Sequence, residues 1–360
     1  MKLPRITILA TLLLTAPAAA QLQITPPVAT PGAVPEKQKP KPPPAAKKKE
    51  AAPAPKPSAS PKPAASPKPA LPATVIPAPA ADNPNVDLVF GAYQRGQYKT
   101  AFDLATARAQ AGDPKAMTML GELYSNAMGI RRDYAKALEW YKRAADAGDR
   151  EAMFALAMLR ISGRGGSVDK SEAVKLMASA AKLGEPKAAY NLALLYLDGQ
   201  TLPQDVKRSA ELLRQAADAG LPEAQYALAT FYKEGTGVPK DPERAVRLLQ
   251  AASLADNVDA EVEYAIAMFN GTGTPKNQPA AVALLRKASR QGSAIAQNRL
   301  AWVLINGMGT SVDKVEGFKW HLVAKTAGKG DPELDKQLSD LPAEDRGKVE
   351  AAAKRWLGTK

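Results

Sequence analysis

The chain has 360 residues, with 49 Lys and Arg against 36 Asp and Glu, one histidine and no cysteine. Without cysteine there can be no disulfide, thiolate nucleophile or Cys-ligated metal, and a lone His removes the common zinc sites, which need three or four His or Cys ligands. The formal charge of +13 sits at the front: residues 21–80 hold +7 and residues 1–20 hold +2, leaving +4 for the rest, so the basic pI supports no nucleic-acid reading.

In chain order, Met1-Lys2-Leu3-Pro4-Arg5 is a basic start, Ile6 to Thr15 is apolar, and Ala16-Pro17-Ala18-Ala19-Ala20 precedes Gln21. That layout predicts a signal peptide over 1–20, cleaved after Ala20, and hence a periplasmic or secreted protein. The alternative, an uncleaved anchor, has an apolar run too short to span a bilayer comfortably. No Cys follows the run, which removes a lipoprotein. Residues 21–84 are rich in Pro, Ala and Lys, as in Ser60-Pro61-Lys62-Pro63 and Ser66-Pro67-Lys68-Pro69. Such a segment lacks branched apolar residues for a core, and it predicts a disordered, polyproline-like linker that spans up to roughly 190 Å at about 3.1 Å per residue. It reads either as a solvated spacer or as a cationic tether for a polyanion such as the cell wall or anionic lipid heads.

From residue 116 a 36-residue period runs to Gly328 without insertion. Gly129, Gly165, Thr201, Gly237, Gly273 and Gly309 share one register point, and Asp133, Asp169, Asp205, Asp241, Asn277 and Asp313 another. Ala144, Ala180, Ala216, Ala252, Ala288 and Ala324 form a third column. A fixed period of this size predicts a solenoid whose units bury their apolar faces against neighbours. Within one unit, Asp113 caps a first helix with Pro114 at its first turn, and Ala116, Leu120, Leu123 and Tyr124 recur at helical spacing. Glycines reverse the chain, the Asp column caps a second helix, and Asp169/Glu172 and Asp313/Glu316 have capping-box spacing. The second helix ends at Gly148, Gly184, Gly220, Gly292 or Gly328, with Asp256 the exception. The expected organisation is an abbreviated helix pair over 85–115, six full repeats over 116–331 and capping helices over 332–360. The fold class is all-α: an α/α superhelical solenoid behind a disordered Pro/Ala/Lys-rich segment.

At Ala116, Leu120, Gly121, Tyr124, Gly129, Asp133, Lys136, Ala137, Trp140, Ala144, Ala145 and Gly148 the chain resembles the Sel-one-like repeat family, α/α-solenoid relatives of tetratricopeptide repeats. Departures are local: Ala127 replaces the first loop glycine, Arg160 the tyrosine and Thr201 another glycine. The resemblance implies an adaptor. Exported bacterial members include periplasmic regulators of sensor kinases and factors at the cell wall or secretion machinery. Some cysteine-rich relatives are associated with β-lactam or wall hydrolysis, and this chain departs from those in having no Cys. The resemblance carries over no catalytic residue.

Little else points to chemistry. His321, beside Trp320, reads as a packing or surface histidine, and no G-x-S-x-G element supports a triad. Gly163-Arg164-Gly165-Gly166 and Gly271-Thr272-Gly273 resemble phosphate loops but lack a preceding strand, so they read as inter-helix turns. Asp198, Asp205 and Glu234 could form an acid pair only if the fold brought them together. No cofactor or metal is expected.

The remaining candidate is the surface of the first helices. Every 36 residues, one column there holds Glu122, Met158, Leu194, Thr230, Ile266 and Trp302. A flanking column holds Met119, Ala155, Asn191, Ala227, Glu263 and Arg299, and a third Asn126, Ser162, Asp198, Glu234, Asn270 and Asn306. Mixed apolar, amide and charged columns suit a groove for a protein segment. Met158, Leu194 and Ile266 read equally as inter-repeat core, whereas Trp302, beside Asn298, Arg299 and Asn306, reads as an anchor. The expected function is a non-catalytic periplasmic scaffold or regulator that binds an envelope protein, such as a sensor or membrane-protein ectodomain. The alternatives are a module that binds peptidoglycan or another polyanion through the tail and, behind that, a wall hydrolase.

Overall fold

Residues 87–358 are described, in a computed structural model, and among them are sixteen α-helices and no strand. The signal peptide expected over 1–20 and the linker expected over 21–84 lie outside the described residues. A short helix α1 (Leu88–Gln94), capped by Asp87, precedes α2 (Tyr98–Gln110). Three pairs follow: α3 (Pro114–Asn126) with α4 (Tyr134–Asp146), α5 (Arg150–Ser162) with α6 (Lys170–Lys182), and α7 (Pro186–Asp198) with α8 (Val206–Asp218). The next three are α9 (Pro222–Glu234) with α10 (Pro242–Leu254), α11 (Val258–Asn270) with α12 (Gln278–Arg290), and α13 (Ala294–Asn306) with α14 (Lys314–Thr326). The first member of each pair is helix A and the second helix B. Two closing helices, α15 (Pro332–Ser339) and α16 (Ala343–Gly358), end the described chain.

The repeated acidic column caps helix B. Each Oδ1 of Asp133, Asp169, Asp205, Asp241, Asn277 and Asp313 accepts from the amide three residues on, at 2.9–3.1 Å. This satisfies one of the donors that a helix start leaves without an internal partner. The expected capping boxes do not close. The amide that Glu172 or Glu316 would accept from already donates to a carbonyl nine residues upstream: Asp169 N to Arg160 O at 3.0 Å, Asp313 N to Leu304 O at 2.9 Å. Glu172 therefore pairs with Arg160 at 3.2 Å, and Glu316 accepts from Trp320 Nε1 at 2.8 Å. The same nine-residue bond recurs at Asp133, Asp205, Asp241 and Asn277. It ties the end of helix A to the start of helix B in every repeat, so an inserted loop residue would break it. That accounts for a period without insertions.

Packing follows from the small-residue columns. Ala144, Ala180, Ala216, Ala252, Ala288 and Ala324 are all fully buried, as are Ala137, Ala173 and Ala281. Methyl-sized side chains let helices approach closely and interlock. Each helix packs chiefly on its neighbours in sequence, so core clusters follow one another along the array, with Leu156, Met177, Leu213, Leu285 and Leu300 fully inside. At the far end α16 packs on α14, burying Val349 and Ala353, and Trp356 meets Trp320 edge to face with centroids 4.9 Å apart. The last helix covers an apolar end that water would otherwise meet.

The fully buried carboxyl of Glu261 interrupts the core. Asp256 stands where other repeats have glycine and takes φ 59°, with Lys287 at 2.9 Å from its carboxylate. Lys287 Nζ also lies 3.2 Å from Glu261 Oε2, off the hydrogen-bonding direction, so both oxygens of the fully buried Glu261 lack a hydrogen bond. Burial raises the Glu261 carboxyl above its usual range, against the opposing pull of Lys287 and Arg290. A proton held more tightly in the fold than in the unfolded chain stabilises the fold fully below the unfolded value of about 4.3. That contribution is lost as pH rises through the folded-state value. Glu261→Gln is therefore expected to gain melting temperature relative to the parent between pH 4 and pH 7; parallel thermal melts check this, and a constant difference would count against it.

Candidate partner-binding surface

Helix A buries one side against both flanking B helices through residues such as Ala116, Leu120 and Leu123. Its other side carries the three columns singled out in the sequence. Glu122, Met158, Leu194, Thr230, Ile266 and Trp302 are all half-buried. Met119, Ala155, Asn191, Glu263 and Arg299 are also half-buried, while Ala227 is buried. In the third column Asn126 and Asp198 are half-buried, and Ser162, Glu234, Asn270 and Asn306 are exposed. Burial is thus graded across the face, from a half-buried floor to an open rim.

Successive first helices are lateral neighbours, because side chains bridge them. Tyr93 Oη on α1 donates to Glu122 Oε1 on α3 at 2.6 Å, and Lys233 Nζ on α9 pairs with Glu263 Oε2 on α11 at 3.1 Å. Thr118 Oγ1 on α3 reaches Asp149 Oδ1, the cap of α5, at 3.0 Å. Trp302 Nε1 on α13 donates to Asp331 Oδ2, the cap of α15, at 2.9 Å. The Trp302 indole is therefore tied to the closing helices as well as half-exposed on the face. Asn191, Thr230 and Asn306 bond back to carbonyls one turn earlier in their own helices, at 2.8, 3.3 and 2.9 Å, which leaves their positions on the face unchanged.

Reading three columns missed a fourth. Thr118, Phe154, Tyr190, Tyr226, Val262 and Asn298 lie one helical turn before the Met158 column. Phe154, Tyr190 and Tyr226 are half-buried against the central core cluster, as Met158 is. The aromatic run at 36-residue spacing was visible in the sequence. Aromatics at helical spacing read as core, and only the packing shows their outer halves open. Met158 serves both roles, touching the core and forming floor.

The face is electrostatically uneven. The six A helices carry eight carboxylates and six bases, whereas the six B helices carry seventeen bases and seven carboxylates. Burial, followed by the field of Glu263, Asp259 and Glu234, holds the Tyr226 hydroxyl well above the usual phenol range. Tyr190 is pushed up to about 12, mainly by burial and then by Glu223. At the N-terminal end the face deepens into a cleft of about 390 Å³, lined in part by Phe90, Lys115, Met119, Glu122 and Glu151. Burial and then the bond to Glu122 raise Tyr93 there.

His321, the two glycine loops and Asp205 all have structural roles. His321 is fully buried, its Nε2 2.8 Å from Asp335 Oδ1 on α15. Bonds from Lys325 and then His321 hold that carboxyl below its usual range. The residue is a packing histidine that fastens α15 to α14. Both glycine loops are inter-helix turns, Gly163 and Gly271 ending their helices with φ of 65° and 77°. Asp205 is occupied as a helix cap. Among the described residues no group of three or more His, Cys, Asp or Glu could hold a metal ion, and no helix is long and apolar enough to cross a membrane.

Six consecutive windows, 114–149, 150–185, 186–221, 222–257, 258–293 and 294–329, match the Sel1 repeat model. The chain belongs to the Sel1 repeat family. Two solved structures agree with this Sel1-repeat fold. One is c5321, a protective antigen of uropathogenic Escherichia coli strains displaying an SLR fold, at 26% identity over 72% of this chain and 56% of that one, with a TM-score of 0.63. The other is a Sel1 repeat protein from Oxalobacter formigenes, at 25% identity over 66% of this chain and 94% of that one, with a TM-score of 0.56. The match thus spans little more than half the length of the E. coli antigen. A search of the curated proteins matches no relative. Sel1-repeat solenoids are generally scaffolds for protein–protein interaction and are typically non-catalytic.

Proposed function

We propose that this Sel1-repeat protein is a non-catalytic scaffold or regulator exported to the periplasm, where its helix-A surface binds a protein such as the ectodomain of a sensor or membrane protein. One observation carries the reading: half-buried apolar side chains, Met158, Leu194, Ile266 and Trp302, occupy the same place on four of the six A helices, with Thr230 between the two pairs. An apolar strip rimmed by polar groups such as Glu234 and Asn270 is the composition of a protein interface. The basic start, apolar run and small-residue stretch before Gln21 support export.

A photoreactive residue at Thr230 on the A face, and another at the exposed Gln250 on helix α10, would test this in cells. Crosslinks to a protein are expected from position 230 and not from 250, in the periplasmic fraction. Crosslinks from 250 alone, or a protein retained in the cytoplasm, would refute the reading.

A further inference from the structure

We propose that the segment received by the helix-A surface is basic: an extended stretch of a partner protein whose Arg or Lys side chains settle over repeats four and five, beside apolar side chains that meet the floor. This rests on the scaffold reading above and adds the chemistry of what the scaffold holds.

Charge complementarity carries it. Glu234 at the end of α9 and Asp259 and Glu263 on α11 stand on adjoining first helices, which the Lys233–Glu263 pair bridges at 3.1 Å, and their field reaches the half-buried Tyr226 hydroxyl. Glu234 and Asp259 are exposed, α11 has no Lys or Arg, and Lys233 answers only Glu263. Glu223, also exposed, extends the same sign toward Tyr190. The carboxylates are set along a strip rather than around a point, which suits a chain carrying several cations better than a single ion.

The floor favours the same occupant. Tyr226 is a half-buried aromatic on the same helix as Glu234, and a cation held over such a ring gains from the ring quadrupole as well as from the charges. Ile266 and Leu194 give apolar seats on the adjoining rungs. An extended chain advances about 3.3 Å per residue, so a segment of twelve residues, about 40 Å long, is long enough to reach more than one rung. An acidic segment would bring like charges onto Glu234 and Asp259, a penalty that excludes wrong partners.

Two labelled twelve-residue peptides, one repeating Arg-Leu-Ser and the other Glu-Leu-Ser, test the proposal by fluorescence anisotropy with the full mature chain at about 0.15 M salt, near-physiological ionic strength. The Arg peptide is expected to bind at least about tenfold more tightly. The double variant Glu234→Gln/Asp259→Asn should remove most of that preference, while Glu139→Gln on helix α4 should leave it intact. Equal binding, preference for the Glu peptide, insensitivity to the double variant, or no binding of either peptide would overturn the inference. If the Glu peptide is preferred yet Leu194→Ala/Ile266→Ala weakens it, only the charge assignment falls. If neither peptide responds to Leu194 and Ile266, the scaffold reading falls too.

Discussion

Gly273→Ala is expected to destabilise the solenoid by about 2–5 kcal/mol, whereas Gly220→Ala costs about 1–2 kcal/mol. Both glycines have positive φ, 68° and 85°, so alanine at either carries the left-handed penalty. They differ in surroundings. A Cβ at 273 would collide with the Pro242 carbonyl, standing 2.6 Å from its carbon and 3.1 Å from Glu243 N, while a Cβ at 220 meets nothing within 4 Å. The obstruction is backbone at the start of helix B in the preceding repeat, which cannot swing aside as a side chain could. Denaturant unfolding followed by circular dichroism reads the difference. Because each repeat is stabilised by its neighbours, the strained loop should also split the transition at the junction of repeats four and five. Equal losses for the two variants would show that the loop does not press on the preceding repeat.

Leu194→Ala/Ile266→Ala is expected to weaken capture of the partner by at least about tenfold, since truncating a central apolar anchor costs more than about 1 kcal/mol. Both side chains are half-buried on the A face of different repeats, so they touch one long ligand without touching each other. Their truncation should cost the fold less than loss of a fully buried side chain such as Leu213 or Leu300. The measurement pairs crosslinking yield from position 230 with a thermal melt. A lower yield with a nearly unchanged melt supports the surface. An unchanged yield would place the partner elsewhere on the molecule.

Much of the architecture was readable from residues alone, because its determinants are local and repeat. An Asp before a helix start caps it whatever lies beyond, a glycine at a reversal is marked by its own φ even where, as at Gly273, the preceding repeat also requires it, and alanines at helical spacing mark close approach wherever the neighbour stands. The three columns on helix A were legible for the same reason: a 36-residue period and a 3.6-residue turn place Glu122 and Trp302 on one face.

Tertiary structure decided everything that depends on which group arrives first. Glu172 and Glu316 have the spacing of a capping box, but a carbonyl from the previous helix had already taken the amide. Phe154, Tyr190 and Tyr226 pack against the core cluster and yet stay only half-buried, which their spacing alone does not show. Trp302 read as a free anchor, and Asp331, from a helix outside the repeat, holds its indole. The exposed carboxylates Glu234 and Asp259 come from α9 and α11, and no single repeat contains the acidic strip.

The sequence by itself therefore determined a helical solenoid with a multi-residue face, since periodicity and caps need only near neighbours along the chain. Only the folded array decided which side chains on that face stay half-open and what sign of charge gathers there. Burial and field are sums over residues that the chain separates by about a repeat and the fold brings to adjacent rungs.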